Sequence, residues 1–227
     1  MAKFIRRFSW SILIVLALLA AGCATPLPKE KSFVVSGIKS TVPISLSVID
    51  YRPYIVNKNK TEDFEGIARA AFGIPTDFSR AKFARNNLEN EWGYVDQTFA
   101  EFLVGMLLTS LKKNGNIVRI DRYPPGATVA KVDAADGKAI SVYIHQSKVD
   151  FGFGFSYVYD FQFNYIYGKN KLEHPVAGSI KSMSEIEEMA QKNQSNIYDT
   201  LTLIYKDILE KGLQKIEHYD NFQGRLE

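Results

Sequence analysis

Every odd-numbered residue from 151 to 167 is aromatic: Phe151, Phe153, Phe155, Tyr157, Tyr159, Phe161, Phe163, Tyr165 and Tyr167. The even positions include Gly152, Gly154, Ser156, Asp160, Gln162 and Asn164. A period of two puts the rings on one face of a sheet and the polar residues on the other. As one strand the run would span ~55 Å, too long for a chain of this size. Gly152 and Gly154 therefore predict a bend or hairpin, leaving a strand from 155 to 167. Gly168-Lys169-Asn170 turns the chain, and residues 174–181 return as a partner strand.

Other segments alternate too. Ile44, Leu46 and Val48 share one face of a strand over 43–50, and Tyr51-Arg52-Pro53 ends it. Residues 32–38 read as a first strand, 117–120 as a short one, and 139–149 as a longer one with Ile140, Val142 and Ile144 in line. Helical spacing is clearest from Val95 or Asp96 to Lys113, where Phe99, Phe102, Leu103, Met106, Leu107 and Leu111 form one stripe. Asp96 is the expected N-cap and Asn114-Gly115 the C-terminal stop. Ser184-Glu185-Ile186-Glu187 reads as a capping box opening a short helix. A final helix is expected from Asn196 to about His218, with 220–227 frayed. Residues 54–94 are the least regular part, with a short strand expected over 64–71, and read as a long loop insertion over the domain.

The opening of the chain has a different pattern. Lys3, Arg6 and Arg7 precede an uncharged apolar run, 8–21, then Gly22 and Cys23. This is a signal peptide with its cleavage site between Gly22 and Cys23. The run of 14 residues falls short of the ~20 that a transmembrane helix needs. Cys23 is the protein's only cysteine. Leu19-Ala20-Ala21-Gly22-Cys23 resembles the lipobox of bacterial lipoproteins, which implies lipidation at Cys23, palmitate among the acyl chains. By the same resemblance, Ala24 after the cysteine implies the outer membrane, facing the periplasm of a Gram-negative cell. Residues 1–22 hold three of the 28 Lys and Arg and none of the 25 Asp and Glu, so residues 23–227 carry no net charge. The overall basicity belongs to the leader, and no nucleic-acid-binding patch is expected. The expected organisation is a signal peptide (1–22), the lipidated cysteine with a tether (23–31), a single α+β domain (32–219) and a tail. The tether reaches no more than ~30 Å. The fold class expected is a single antiparallel or mixed sheet with two long amphipathic helices packed on one face.

Catalytic signatures are missing. The three histidines, His145, His174 and His218, have no metal-ligand spacing, and there is no second cysteine for a thiolate site. No nucleophile elbow or phosphate loop occurs. No catalytic residue, metal or cofactor is expected, and the chain is not expected to be an enzyme. The aromatic file reads first as core and second as a surface for lipid or glycan.

With these elements in place, the chain resembles the YajG-like group of small outer-membrane lipoproteins, near the auxiliary lipoproteins of ABC-type envelope transport. The residues that carry the resemblance are Val48-Ile49-Asp50-x-Arg52-Pro53, Gly66-Ile67-x-Arg69, Phe72-Gly73-x-Pro75, the helix closing at Gly115, and Tyr159-Asp160-Phe161 in the hairpin. The resemblance implies a small α+β domain without catalytic residues. The function expected is a non-catalytic scaffold or auxiliary, bound to the membrane through Cys23 and to an envelope protein partner. Contact residues are expected in the irregular segment: Arg69, Arg80 and Arg85 as cations, Phe72, Phe78 and Trp92 as apolar anchors. The competing reading is that these aromatics staple the segment to its own domain.

Overall fold

The computed structural model describes residues 34–69, 74–79, 98–127, 137–151, 155–182, 184–188 and 197–223. It is a mixed α/β structure built on a mixed sheet of seven strands: β1 (Ile44–Asp50), β2 (Gly66–Arg69), β3 (Pro75–Phe78), β4 (Val118–Ile120), β5 (Lys138–Phe151), β6 (Phe155–Tyr167) and β7 (Asn170–Ile180). The helices are α1 (Pro53–Val56), α2 (Phe99–Lys113), a short α3 over 184–188, and α4 (Ile197–Gln223).

The longest strand, β5, organises the sheet. One of its edges pairs antiparallel with β6 along its length, from Lys138 opposite Tyr167 to Phe151 opposite Phe155. The other edge is shared. Residues 138–144 pair in parallel with β1, and residues 149–151 pair in parallel with β2. β4 lies parallel beyond β1, β3 antiparallel beyond β2, and β7 antiparallel beyond β6. The parallel pairings require crossovers, and a period-two pattern in one strand does not encode them.

A bulge reconciles the two halves of β5. Ile144 opposes Phe161 and Gln146 opposes Asp160, so His145 is the extra residue. Before it, Ile140, Val142 and Ile144 are buried; after it, Ser147 and Val149 are. The odd positions of β6 therefore meet core residues on both sides of the shift. Phe155, Tyr157, Phe161, Phe163 and Tyr165 are all buried. They belong to one core with Ile44, Leu46 and Val48 of β1, Leu103, Leu107 and Leu111 of α2, and Leu201, Ile208, Leu213 and Ile216 of α4. Gly168, with φ 55°, closes the β6–β7 turn in a conformation that costs other residues more. β7 is an edge strand, and Pro175 near its middle has no N–H to offer a further strand.

Several expected boundaries shift. α2 begins at Phe99 with Thr98 as its N-cap: Glu101 N–H donates to the Thr98 hydroxyl at 3.1 Å, and the Thr98 N–H donates to the Glu101 carboxylate at 3.0 Å. This reciprocal box satisfies two end donors at once, where Asp96 was the expected cap; Val95 and Asp96 lie outside the described residues. Residues 34–38 are not a strand. Their backbone is held instead by α4 side chains, Val35 N–H donating to Glu210 at 2.7 Å and Gly37 N–H to Glu217 at 2.9 Å. α4 does not fray after His218 but runs to Gln223, because Asp220 accepts hydrogen bonds from the Tyr165 hydroxyl and, at 2.5 Å, from Lys138 Nζ. The 54–94 segment is not only a loop, since β2 and β3 extend the sheet.

Candidate functional site

Asp50 ends β1 and Pro53 starts α1, leaving Arg52 at the corner where β1 leaves β5. Arg52 is fully buried. Its Nε donates to both oxygens of Asp50 at 2.9 and 3.1 Å, and its Nη2 donates to Asp50 Oδ2 at 2.6 Å. Nη1 donates to the Phe64 carbonyl at 2.6 Å and the Ser147 carbonyl at 3.4 Å. The Tyr54 hydroxyl donates to the same Ser147 carbonyl at 2.7 Å. The guanidinium also lies 4.8 Å from the centre of the Phe99 ring. Where one edge of β5 passes from β1 to β2, these side chains supply donors that a strand neighbour supplies elsewhere, because a buried carbonyl without a partner is costly. Burial pushes the Arg52 pKa down, but the hydrogen bond and charge of Asp50 outweigh it and the net shift is upward. Burial likewise raises the Tyr54 phenol, with Arg52 opposing. Nearby, buried Glu65 accepts from the Tyr205 hydroxyl at 3.1 Å, which links this corner to α4.

β2 can approach β5 only because residue 66 is glycine. A Cβ there would lie 2.0 Å from the Val149 carbonyl oxygen. Val149 N–H donates in turn to the Glu65 carbonyl at 3.0 Å.

Beside this corner, outside the carboxyl ends of the parallel strands β1 and β4, lies a cleft of about 300 Å³. The carboxyl ends of parallel strands are a favoured place for ligands. Val48, Val104, Leu108 and Ile120 supply apolar lining; Glu62, Glu101, Asp121, Arg122 and Tyr123 supply polar lining. Three lining carboxylates already have work: Asp50 holds Arg52, Glu101 caps α2, and Asp121 accepts from Arg119 Nε at 3.1 Å. The described lining contains no His, Cys or Ser, and its Thr98 hydroxyl accepts the Glu101 N–H in the α2 cap. Among the described residues no group of three or more His, Cys, Asp or Glu is placed to hold a metal ion.

No protein-family model matches the chain, and no curated protein matches it. Solved structures similar in shape include protein XCC0632 from Xanthomonas campestris, a DUF330 protein, at 10% identity over 89% of this chain and 97% of that chain, with a TM-score of 0.38. Another is an uncharacterised protein at 8% identity over 82% of this chain and 95% of that chain, with a TM-score of 0.36. Superpositions this loose carry neither fold nor function across.

Of the residues expected to contact a partner, Arg69 and Phe78 are described. Arg69 is on β2 and forms a two-pronged pair with Asp150 of β5, Nε at 3.1 Å and Nη2 at 2.9 Å. Hydrogen bonding to Asp150 raises the Arg69 pKa. Phe78 is not a surface anchor: it is buried, edge-on to Phe151 with ring centres 5.2 Å apart, and so staples β3 to the sheet. Phe72, Arg80, Arg85, Trp92, Gly22 and Cys23 lie outside the described residues. His145 stands in the bulge with its ring centre 5.8 Å from that of Tyr51. The role of Arg52 was not read from the sequence, although a charged pair at a strand end just before Pro53 was the available signal.

Proposed function

We propose that this chain is a non-catalytic, lipid-anchored lipoprotein of the outer membrane, facing the periplasm, which serves as a scaffold or auxiliary in envelope transport or assembly. The observation that carries the reading is Leu19-Ala20-Ala21-Gly22-Cys23 after a basic, then apolar, leader. Several acyl chains on one cysteine give stable anchoring where one gives marginal binding. Membership of the YajG-like group belongs to the same proposal and rests on the short motifs around Arg52, Arg69 and Gly115. Two of these have physical reasons for their residues: Arg52 fills the gap between β1 and β2, and Gly66 permits the close approach of β2 to β5.

The architecture that goes with this reading is two long helices over one sheet face. Its support is the Tyr205 ring of α4, which meets Phe99 at 5.1 Å and Phe102 at 6.1 Å, and Gly212 of α4, which lies against Phe163 of β6. The partner surface we favour is the β2–β3 edge, where Arg69, Ile74 and Asp77 are exposed. An aromatic face that binds lipid or glycan needs its rings at the surface, and five of the file are buried.

In cells grown with labelled palmitate, the natural chain should incorporate label and Cys23→Ser should not. A photo-crosslinker at Ile74 should capture one envelope protein from cells making the acylated form. Equal palmitate incorporation by both forms defeats the anchor. An intact anchor with no crosslink at Ile74 defeats the contact surface alone.

A further inference from the structure

α4 carries Gln214 and Lys215 three and four residues after Lys211, and His218 three residues after Lys215, so the four form one stripe. The stripe faces β7 across an open groove of about 670 Å³, to which β6 adds Tyr159 and β7 adds His174. Lys211 is balanced by Asp207 at 2.6 Å. Lys215, His174 and His218 have no ion pair among the described residues, and no carboxylate lines the groove. Lysines four apart on a helix repel each other. Removal from water and then the charge of Lys215 hold the His174 pKa below its ordinary value. Beyond the leader the chain is electrically balanced, so this cluster reflects charge separated onto one face and not general basicity. The fold thus sets two lysines, two histidines, a phenol and an amide around one hollow; Asp207 balances Lys211, and the charge of Lys215 has no ion-pair partner among the described residues.

We propose that the groove between β7 and α4 binds a phosphate group. Lys211 and Lys215 supply charge, and Tyr159, Gln214, His174 and His218 supply directional donors, a set suited to an anion with several acceptor oxygens. The titratable and charged groups that face it are Tyr159 from β6, His174 from β7, and Asp207, Lys211, Lys215 and His218 from α4. The proposal goes beyond the scaffold reading and does not depend on it. A free phosphate compound and a phospholipid headgroup share this chemistry.

The test is a histidine NMR titration of the full-length acylated protein in uncharged detergent micelles at about 0.15 M salt. One arm adds inorganic phosphate; a second dopes the micelles with phosphatidylglycerol. Saturable shifts at His174 and His218, with the His174 titration midpoint rising as the ligand binds, support the site. A response only to the doped micelles assigns it to a headgroup, and a response only to inorganic phosphate assigns it to a soluble ligand. Lys215→Gln should weaken binding by about tenfold, whereas Lys58→Gln, an equal loss of charge elsewhere, should leave it unchanged. No saturable shift in either arm, or equal weakening by both substitutions, overturns the proposal.

Discussion

Replacing Arg52 by Met tests whether the corner between β1 and β2 is held as described. Met keeps much of the stem but removes every donor. Asp50, with its side chain 4% exposed, would then be a buried carboxylate without its counter-ion. Removing one member of a buried pair costs about 3–5 kcal/mol. The Ser147 carbonyl would keep the Tyr54 hydroxyl, but the Phe64 carbonyl would lose its 2.6 Å donor, adding up to about 1–3 kcal/mol. These neighbouring losses overlap, so the expected total is about 4–6 kcal/mol. That is a large share of the ~5–15 kcal/mol by which domains are stable. In urea, with a slope of about 2–3 kcal/mol/M, the unfolding midpoint followed by circular dichroism should fall by about 2 M. Pairing the change with Asp50→Asn removes the stranded charge and should recover about 2 kcal/mol. A single variant within about 1 kcal/mol of the natural protein, or a double variant no better than the single one, would refute the reasoning.

Two further perturbations probe other parts of the fold. A Cβ at Gly212 would lie 2.4 Å from the buried Phe163 ring, so Gly212→Ala should lower stability by about 1–3 kcal/mol through overpacking; an unchanged urea midpoint would show that α4 does not sit against β6 there. His174 is a base whose folded pKa is lowered. Between that value and the ordinary ~6.5 the unfolded chain binds more protons, so its contribution is fully present above pH ~6.5 and is lost as pH falls toward the folded pKa. In phosphate-free buffer, His174→Gln should flatten this part of the stability–pH curve; a curve unchanged by the substitution would refute the assignment.

The aromatic file was legible as one sheet face because a strand's period is local and exact. The fold added a bulge at His145 that keeps Phe155, Tyr157, Phe161, Phe163 and Tyr165 facing the core on both sides of the shift. The α2 stripe was equally legible, and its true start needed only the Thr98–Glu101 box, which the sequence also contains. Phe78 could not be placed between surface and core from the sequence, because nothing local says that β3 will pair with β2 and set its ring against Phe151.

By itself the sequence determined what depends on neighbouring residues: the lipobox pattern, the long helices, the β5–β6 hairpin and the turn at Gly168. Only the tertiary structure decided that β1 and β2 share one edge of β5, that Arg52 fills the space between them, and that His174 faces Lys215 and His218. Each of those facts joins residues from separate elements. Periodicity records which way a side chain faces on its own strand or helix, whereas the partner it meets is set by chain crossings and by the burial that makes a particular pairing worth its loss of entropy.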